Sequence, residues 1–382
     1  MPWKEKTVVK QRHEFITELI TEEHSFSQIC REYGISRVTG YKWVERYRSG
    51  QGMADRSRRP FHSPNQVSKA MEDLIIGTRE DHPVWHARKI KRYLEDRGNQ
   101  GLPAASTIGR ILERNGLINV EESEKHMAWQ RFERERPNEL WQADFKGEFL
   151  MKNNQKCYPL TVLDDHSRYS LAVDGKESIK SIGVNESFER VFREYGLPET
   201  ILTDHGIPWV SKDGYTPFEI WLMKMDILPI HGRAYHPQTR GKEERFHRTM
   251  KAELISRRMF ENVEEAQREF DRWRYEYNHE RPHESLGLEV PAKRYRQSKR
   301  KYPDKLNEPE YANGSRLRKV NCKGYLSIDR HRYYLSESFI GKYVGIEPCA
   351  EDGILSIRYG GYEIAKVDEQ EKVFISRRIQ RI

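Results

Sequence analysis

The sequence predicts a multidomain chain: two N-terminal all-α helix-turn-helix modules, a central α/β core and a small C-terminal β-barrel. Three observations carry this. The 382 residues exceed what one hydrophobic core normally serves. The apolar pattern is helical up to about residue 118, mixes strands and helices from Glu139, and turns to short strands alone after residue 316. Polar stretches rich in Pro, Gly or charge separate these regions. The expected bounds are 1–55 and 67–120 for the modules, 138–295 for the core and 316–382 for the barrel. A basic linker (56–66), a charged helical connector (121–137) and a second linker (296–315) join them.

In the first module, Phe15, Ile16, Leu19 and Ile20 give one helix its apolar face. Ser25 caps a second helix that runs to about Tyr33. Gly34 ends it, and Ser36 caps a third that runs to about Arg48. Helix, glycine turn and helix make the DNA-reading motif. Arg37, Thr39, Tyr41, Lys42 and Arg46 give the last helix a basic, hydroxyl-bearing face suited to a major groove. The linker that follows, SGQGMADRSRRPFHSPNQ, carries Arg56, Arg58 and Arg59, which suit a narrow minor groove.

The second module repeats the theme. Helices are predicted over Val67–Arg79, Ala87–Arg97 and Thr107–Asn115, with Gly98 and Gly116 as stops and Ser106 as a cap. Ser106, Thr107 and Arg110 are its expected DNA contacts. Two tandem modules read a longer site than one.

Composition narrows the partner. The formal charge is +8 and the pI about 9.1, so a polyanion is the natural partner. Hydrophobic residues make up 36% and charged residues 33%, a balance that fits a water-exposed chain better than a membrane protein. There is no apolar run near 18 residues for a span, and the N-terminus lacks the apolar stretch of a signal peptide. The four cysteines (Cys30, Cys157, Cys322 and Cys349) are scattered without a CxxC pair. This argues against a cysteine zinc site or a disulfide scaffold, and they are expected as buried small hydrophobes in a reducing compartment.

From Glu139 strands appear: LWQADF, YPLTVLDD and YSLAVDG, then an amphipathic helix near Ile182–Tyr195, then ETILTD. Strand–helix alternation to about Tyr295 makes this an α/β domain. The runs YLSID, RYYLS, YVGIE, ILSIRY and YEIAKV, with turn signals at Asp352-Gly353 and Gly360-Gly361, give the C-terminal β-domain.

Acids at strand ends mark the candidate chemistry. Asp144 and Asp204 each end a strand, and Glu244 begins a helix in GKEERFHR. Carboxylate oxygens suit magnesium or manganese, and three converging acids can hold two such ions for an in-line displacement at phosphorus. Asp164 and Asp165 also end a strand, and the pattern alone leaves them in contention.

The stretches LWQADF, TDHG and YHPQTRGKEERFHRTMK resemble the catalytic core of DDE transposases and retroviral integrases. RYEYNHERPHESLGLEVPAKRY resembles the end of that core in insertion-sequence transposases. The resemblance spans about 137–295, and the flanking modules match the insertion-sequence branch. It implies an RNase H-like fold and a catalytic, metal-binding triad of Asp144, Asp204 and Glu244 with two Mg2+ (or Mn2+) ions per site. It implies a reaction that frees a 3′-hydroxyl at a transposon end and joins it to target DNA. The partners it implies are double-stranded DNA (terminal repeats and target) and further copies of the chain, at least a dimer on paired ends, in a bacterial cytoplasm at the nucleoid.

Two departures stand out. His205 replaces the Asn that usually follows the second aspartate, and helix-turn-helix modules stand where retroviral integrases carry a zinc module. Thirty-nine residues separate Asp204 from Glu244, a little more than is usual for the family, which suggests a small insertion near SKDGYTPF.

The helix wheel separates the adjacent glutamates. Glu243 shares a stripe with Phe246, Met250 and Leu254, the packing face, and is expected partly exposed at its first turn. Glu244 shares its face with Arg248 and Lys251, which suit phosphate. Lys242, Arg245, His236 and Gln238 are further expected DNA contacts, and Trp209 is expected in the core. Two rival functions fit the same domains: a catalytically silent DNA-binding regulator, and an RNase H-type nuclease that cuts without joining.

Overall fold

The computed structural model describes residues 7–21, 24–56, 66–118, 133–211, 214–232, 241–311, 315–376 and 379–381. The chain forms two compact units, 1–66 and 67–382.

The first unit holds three helices, α1 (Val8–Ile20), α2 (Phe26–Glu32) and α3 (Arg37–Arg48). Ser36 caps α3 by accepting from the Thr39 N–H. Gly34, at φ +63°, makes the turn a side chain would strain. Phe15, Ile16, Ile29, Cys30, Trp43 and Met53 form the core. Gly40 lets α3 approach α2 closely, because a Cβ there would lie 2.7 Å from the Cys30 sulfur.

The second unit opens with α4 (Lys69–Asp81), α5 (Ala87–Asp96) and α6 (Ala105–Arg114) around Ile75, Trp85, Ile90, Ile108 and Leu112. Here one expectation is corrected. Ala104, not Ser106, stands at the cap position of α6. Ser106 lies in its first turn, since the extended residues before Ala105 already set the chain to enter the helix.

The central sheet comprises β1 (Trp141–Phe145), β2 (Phe149–Leu150), β3 (Lys156–Asp164), β4 (Ser170–Lys176), β5 (Thr200–Thr203) and β6 (Leu228–His231). β1, β3 and β4 form an antiparallel meander, and β5 and β6 add in parallel beyond β1. Helix α7 (Ser181–Tyr195) and α8 (Pro217–Lys224) cover one side through Phe188, Phe192 and Phe218, with Trp209 from the turn before α8 in the same core. Helices α9 (Gly241–Glu253) and α10 (Val263–His279) cover the other through Phe246, Met250, Phe270 and Trp273. Each such fully buried side chain contributes about 1.5–3 kcal/mol. Trp209 is buried, as expected.

The C-terminal part holds β7 (Arg316–Lys319), the hairpin β8 (Tyr325–Ile328) and β9 (His331–Tyr334), then β10 (Tyr343–Pro348), β11 (Ile354–Tyr359), β12 (Tyr362–Asp368), β13 (Val373–Ser376) and β14 (Gln380–Arg381). The strand order is β13-β12-β11-β10-β7, with β14 also on β12 and the hairpin apart. Among the described residues this is an open sheet, not a closed barrel. It shares its core with the central domain, because Tyr215, Ile220 and Met223 pack among Leu326, Phe339 and Tyr359.

Residues 296–311 of the expected linker form a strap along this unit. Arg300 donates to the carbonyls of Pro198, Met225 and Asp226, each at 2.7 Å. The cysteines divide: Cys30 and Cys157 are buried, Cys349 is half-buried, and Cys322 is exposed instead of buried. Most of the connector 121–137 and the bulk of the linker 56–66 lie outside the described residues. No described helix is long and apolar enough to cross a membrane.

Candidate active site

The strand order fixes two of the three acids. β1 and β5 are parallel neighbours, with Trp141 opposite Ile201 and Gln142 opposite Leu202. Asp144 and Asp204 each follow two residues beyond the last of these pairs. Both stand at one end of the sheet. The Asp204 carboxylate accepts the Gly206 N–H at 2.8 Å. Behind it runs a polar buttress: Thr203 Oγ1 meets His231 Nδ1 at 2.9 Å, and His231 Nε2 meets Glu219 Oε1 at 3.0 Å. A cleft opens beside Asp204, lined in part by His205, Ser211, His231 and Arg381.

Glu244 stands in the first turn of α9, exposed, while Glu243 is 4% exposed. The expectation of a partly exposed Glu243 is corrected: the packing stripe of Phe246 and Met250 carries it fully inside. Helix α9 meets the strand of Asp144 through a relay. His247 Nε2 contacts Thr161 Oγ1 at 2.8 Å, and Thr161 Oγ1 donates to the Asp144 carbonyl at 3.0 Å. Among the described residues no group of three or more His, Cys, Asp and Glu side chains is close enough to hold a metal ion. The fold brings the ends of β1 and β5, which lead to Asp144 and Asp204, to the same side of the sheet. Glu244, the third acid expected from the sequence, is exposed on α9. The donor chemistry fits a hard divalent cation: three carboxylates, two of them on neighbouring strand ends.

The competing acids are spent on structure. Asp164, fully buried, accepts from the Asn138 N–H at 2.7 Å and from the Ser167 N–H and hydroxyl at 2.8 and 2.6 Å. Burial pushes its carboxyl up against those bonds. Asp165 accepts from Gln142 at 2.7 Å, from the Arg134 N–H at 2.9 Å and from Lys242 at 2.6 Å. Lys242, expected on DNA, is thereby turned inward. Burial pushes its ammonium down to about 8, with Arg168 adding to the effect and Asp165 opposing it.

The other expected DNA contacts fall into three groups. Arg37, Tyr41, Lys42, Ser106, Arg110, Arg248 and Lys251 are exposed. Thr39 bonds Ser36, Arg46 donates to the Ala54 carbonyl and lies over Trp43, Arg56 bonds Gln51, Arg245 faces Glu284 at 3.6 Å, and Thr107 is half-buried. Arg58, Arg59, His236 and Gln238 lie outside the described residues.

Sequence reasoning missed Thr161, His247 and Lys146. Thr161 was findable as the residue facing Asp144 across the β1–β3 pair, and His247 as the residue one turn beyond Glu244. Lys146 is half-buried just past β1, and burial together with nearby Lys251 pushes its ammonium down.

Known proteins resemble these parts. The description "Integrase core domain" matches residues 134–237 and, in a second form, 225–291. "Helix-turn-helix domain" matches 11–61, "Homeodomain-like domain" 39–112, and "IS481 family transposase, C-terminal domain" 315–374. A protein assigned as the transposase of insertion sequence element IS5376, from Geobacillus stearothermophilus, is 24% identical over 94% of this chain and 87% of its own length. A protein of insertion element IS407 from Burkholderia multivorans is 26% identical over 41% of this chain, which spans about half (54%) of that relative. The transposase of IS629 from Shigella sonnei is 22% identical over 72% of this chain and 92% of its own length. Among solved structures, the catalytic core domain of HTLV-2 integrase in complex with magnesium aligns at 17% identity and TM-score 0.33, over 42% of this chain and 99% of that one.

Proposed function

We propose that this chain, an insertion-sequence transposase with an integrase-like core, binds transposon ends, frees their 3′-hydroxyls and joins them to target DNA at one site. Asp144, Asp204 and Glu244 are its metal ligands. What supports the reading is the β1–β5 register, which brings the strand ends that lead to Asp144 and Asp204 to the same side of the sheet, with a glutamate-bearing helix fastened over β1. When bound, two Mg2+ or Mn2+ ions supply the charge that activates the attacking oxygen and stabilises the leaving one.

The chain's own residues do the rest. Arg248 and Lys251, exposed on the Glu244 face, and Lys146 beside them hold the phosphodiester against the carboxylates. The exposed faces of α3 and α6 select the DNA end. Thr203, His231 and Glu219 keep the Asp204 loop in place. Assembly of at least two copies belongs to the same reading, because two ends must meet.

The test uses the full chain, its cognate end and a target duplex. Magnesium-dependent joining is expected, with binding of the end that weakens steeply as salt rises. Cutting without joining points to the nuclease, and binding without either reaction points to the regulator. Joining by a monomer on paired ends rejects the assembly.

A further inference from the structure

We propose that His247 is a positioning residue: acting through Thr161, it sets the depth and rotation of α9 and so the place of Glu244 relative to Asp144. The proposal rests on the metal-ligand reading above.

Thr161 lies directly opposite Asp144 in the antiparallel pairing of β1 and β3, and it is fully buried. Its hydroxyl carries one proton. That proton goes to the Asp144 carbonyl at 3.0 Å. The 2.8 Å contact from His247 must then be a donation from Nε2 to the Thr161 oxygen, which fixes the ring with a proton on Nε2. One hydroxyl thereby links the backbone of one ligand residue to the helix of another.

Other ties of α9 do a different job: at its far end Glu253 accepts from Arg281 at 2.8 Å and from Trp273 at 3.1 Å, and Arg245 faces Glu284 at 3.6 Å, none of them on the strands that carry Asp144 and Thr161. Phe246 and Met250 sit in an apolar cluster with Trp273 and Tyr277. Such packing resists lifting the helix, but it is non-directional and does little against small slides or rotations. Lys242 pins the helix start to Asp165, on the loop after β3. The His247 bond is directional, and it reaches the residue paired with Asp144. His247 is three residues past Glu244, so the two share a helix face. An error of 1 Å in a reacting constellation can cost about 100-fold in rate, so a single well-aimed bond beneath the ligands has leverage.

The test compares His247→Leu with His247→Gln in the full chain. The two side chains are similar in size, but only glutamine donates a hydrogen bond. Mn2+ binding is measured calorimetrically without DNA, and joining is measured with magnesium. His247→Leu is expected to weaken Mn2+ binding about 10-fold and to lower kcat for joining about 10- to 100-fold, with KM for the end unchanged. His247→Gln is expected to recover most of both. Thr161→Val is expected to match His247→Leu, and the double variant to be no worse than either, because both remove one bond. Equal behaviour of the Leu and Gln variants, or additive losses in the double variant, overturns the proposal. Glu244→Gln serves as the control. If it binds Mn2+ like the wild type, the metal-ligand reading fails, whatever His247 does.

Discussion

The two helix-turn-helix modules look alike in sequence, yet the fold uses their charges differently. The first sits in a compact unit of its own, and its basic residues Arg37 and Lys42 are exposed. The second belongs to the large unit and is fastened to the core. His82 meets Glu276 at 3.0 Å, Arg97 donates to Glu280 at 2.9 Å, and Lys293 faces Asp96 at 3.7 Å. Lys89 of α5 is only 8% exposed, near Glu253, Glu284 and Arg281. Basic residues of the second module, His82, Lys89 and Arg97, thus serve as fasteners to the core. The lesson is that positive charge alone does not locate a DNA surface. Which side of the helix packs, and against what, decides it.

This contrast can be broken in three ways. The largest effect is expected at Glu253, whose carboxylate accepts from Arg281 at 2.8 Å and from Trp273 at 3.1 Å. Glu253→Ala leaves Arg281 buried beside Lys89 without its counter-charge. It should cost about 3–5 kcal/mol, read as faster hydrogen exchange in α4–α6 and α10 and unchanged exchange in α1–α3. Equal loss in both modules would mean they are not separate units.

Next comes Lys89. Burial, with Arg281 adding to it, pushes its ammonium down to about 8 from the usual value near 10.5, against Glu253 and Glu284. The unfolded chain therefore binds this proton between about pH 8 and 10.5 while the folded chain does not. The burial penalty is full below pH 8 and fades as pH rises through that window. Lys89→Met should stabilise the large unit by about 1–4 kcal/mol at pH 7, and the gap to wild type should narrow toward pH 10. A gap that widens with pH would show that the charge of Lys89 holds the module down.

The smallest effect belongs to the first module. Gly40→Ala places a Cβ 2.7 Å from the Cys30 sulfur and 2.9 Å from Phe26. It should cost about 1–3 kcal/mol, confined to α1–α3 by hydrogen exchange, with magnesium-dependent cutting at an exposed end retained.

What was legible in the sequence was local. Ser36 and Gly34 delimit α2 and α3 because a cap and a left-handed turn need only neighbours in the chain. The ends of β1 and β5 were legible because apolar runs stop there in aspartates. The stripe of Phe246 and Met250 told Glu243 from Glu244, although it understated how deeply Glu243 lies.

What stayed hidden depends on distant partners. Arg97 and Glu280 are 183 residues apart, and His247 and Thr161 are 86 apart. Nothing local marks such pairs. Residues 296–311 look like a linker because they are polar, but Arg300 uses that polarity on three carbonyls of the core. Asp164 and Asp165 resembled ligands because a strand-end acid and a turn-forming acid have the same local pattern. Only the bonds from Ser167, Asn138 and Lys242 tell them apart.

The central claim is that Glu244, not its neighbour, completes the site with Asp144 and Asp204. The direct measurement is strand joining by Glu244→Gln and Glu243→Gln side by side, with magnesium, a cognate end and target DNA. The account predicts that Glu244→Gln still binds the end but joins at least about 1,000-fold more slowly, a loss of about 4 kcal/mol in transition-state stabilisation, while Glu243→Gln that remains folded keeps most of its joining. Full joining by Glu244→Gln would contradict it.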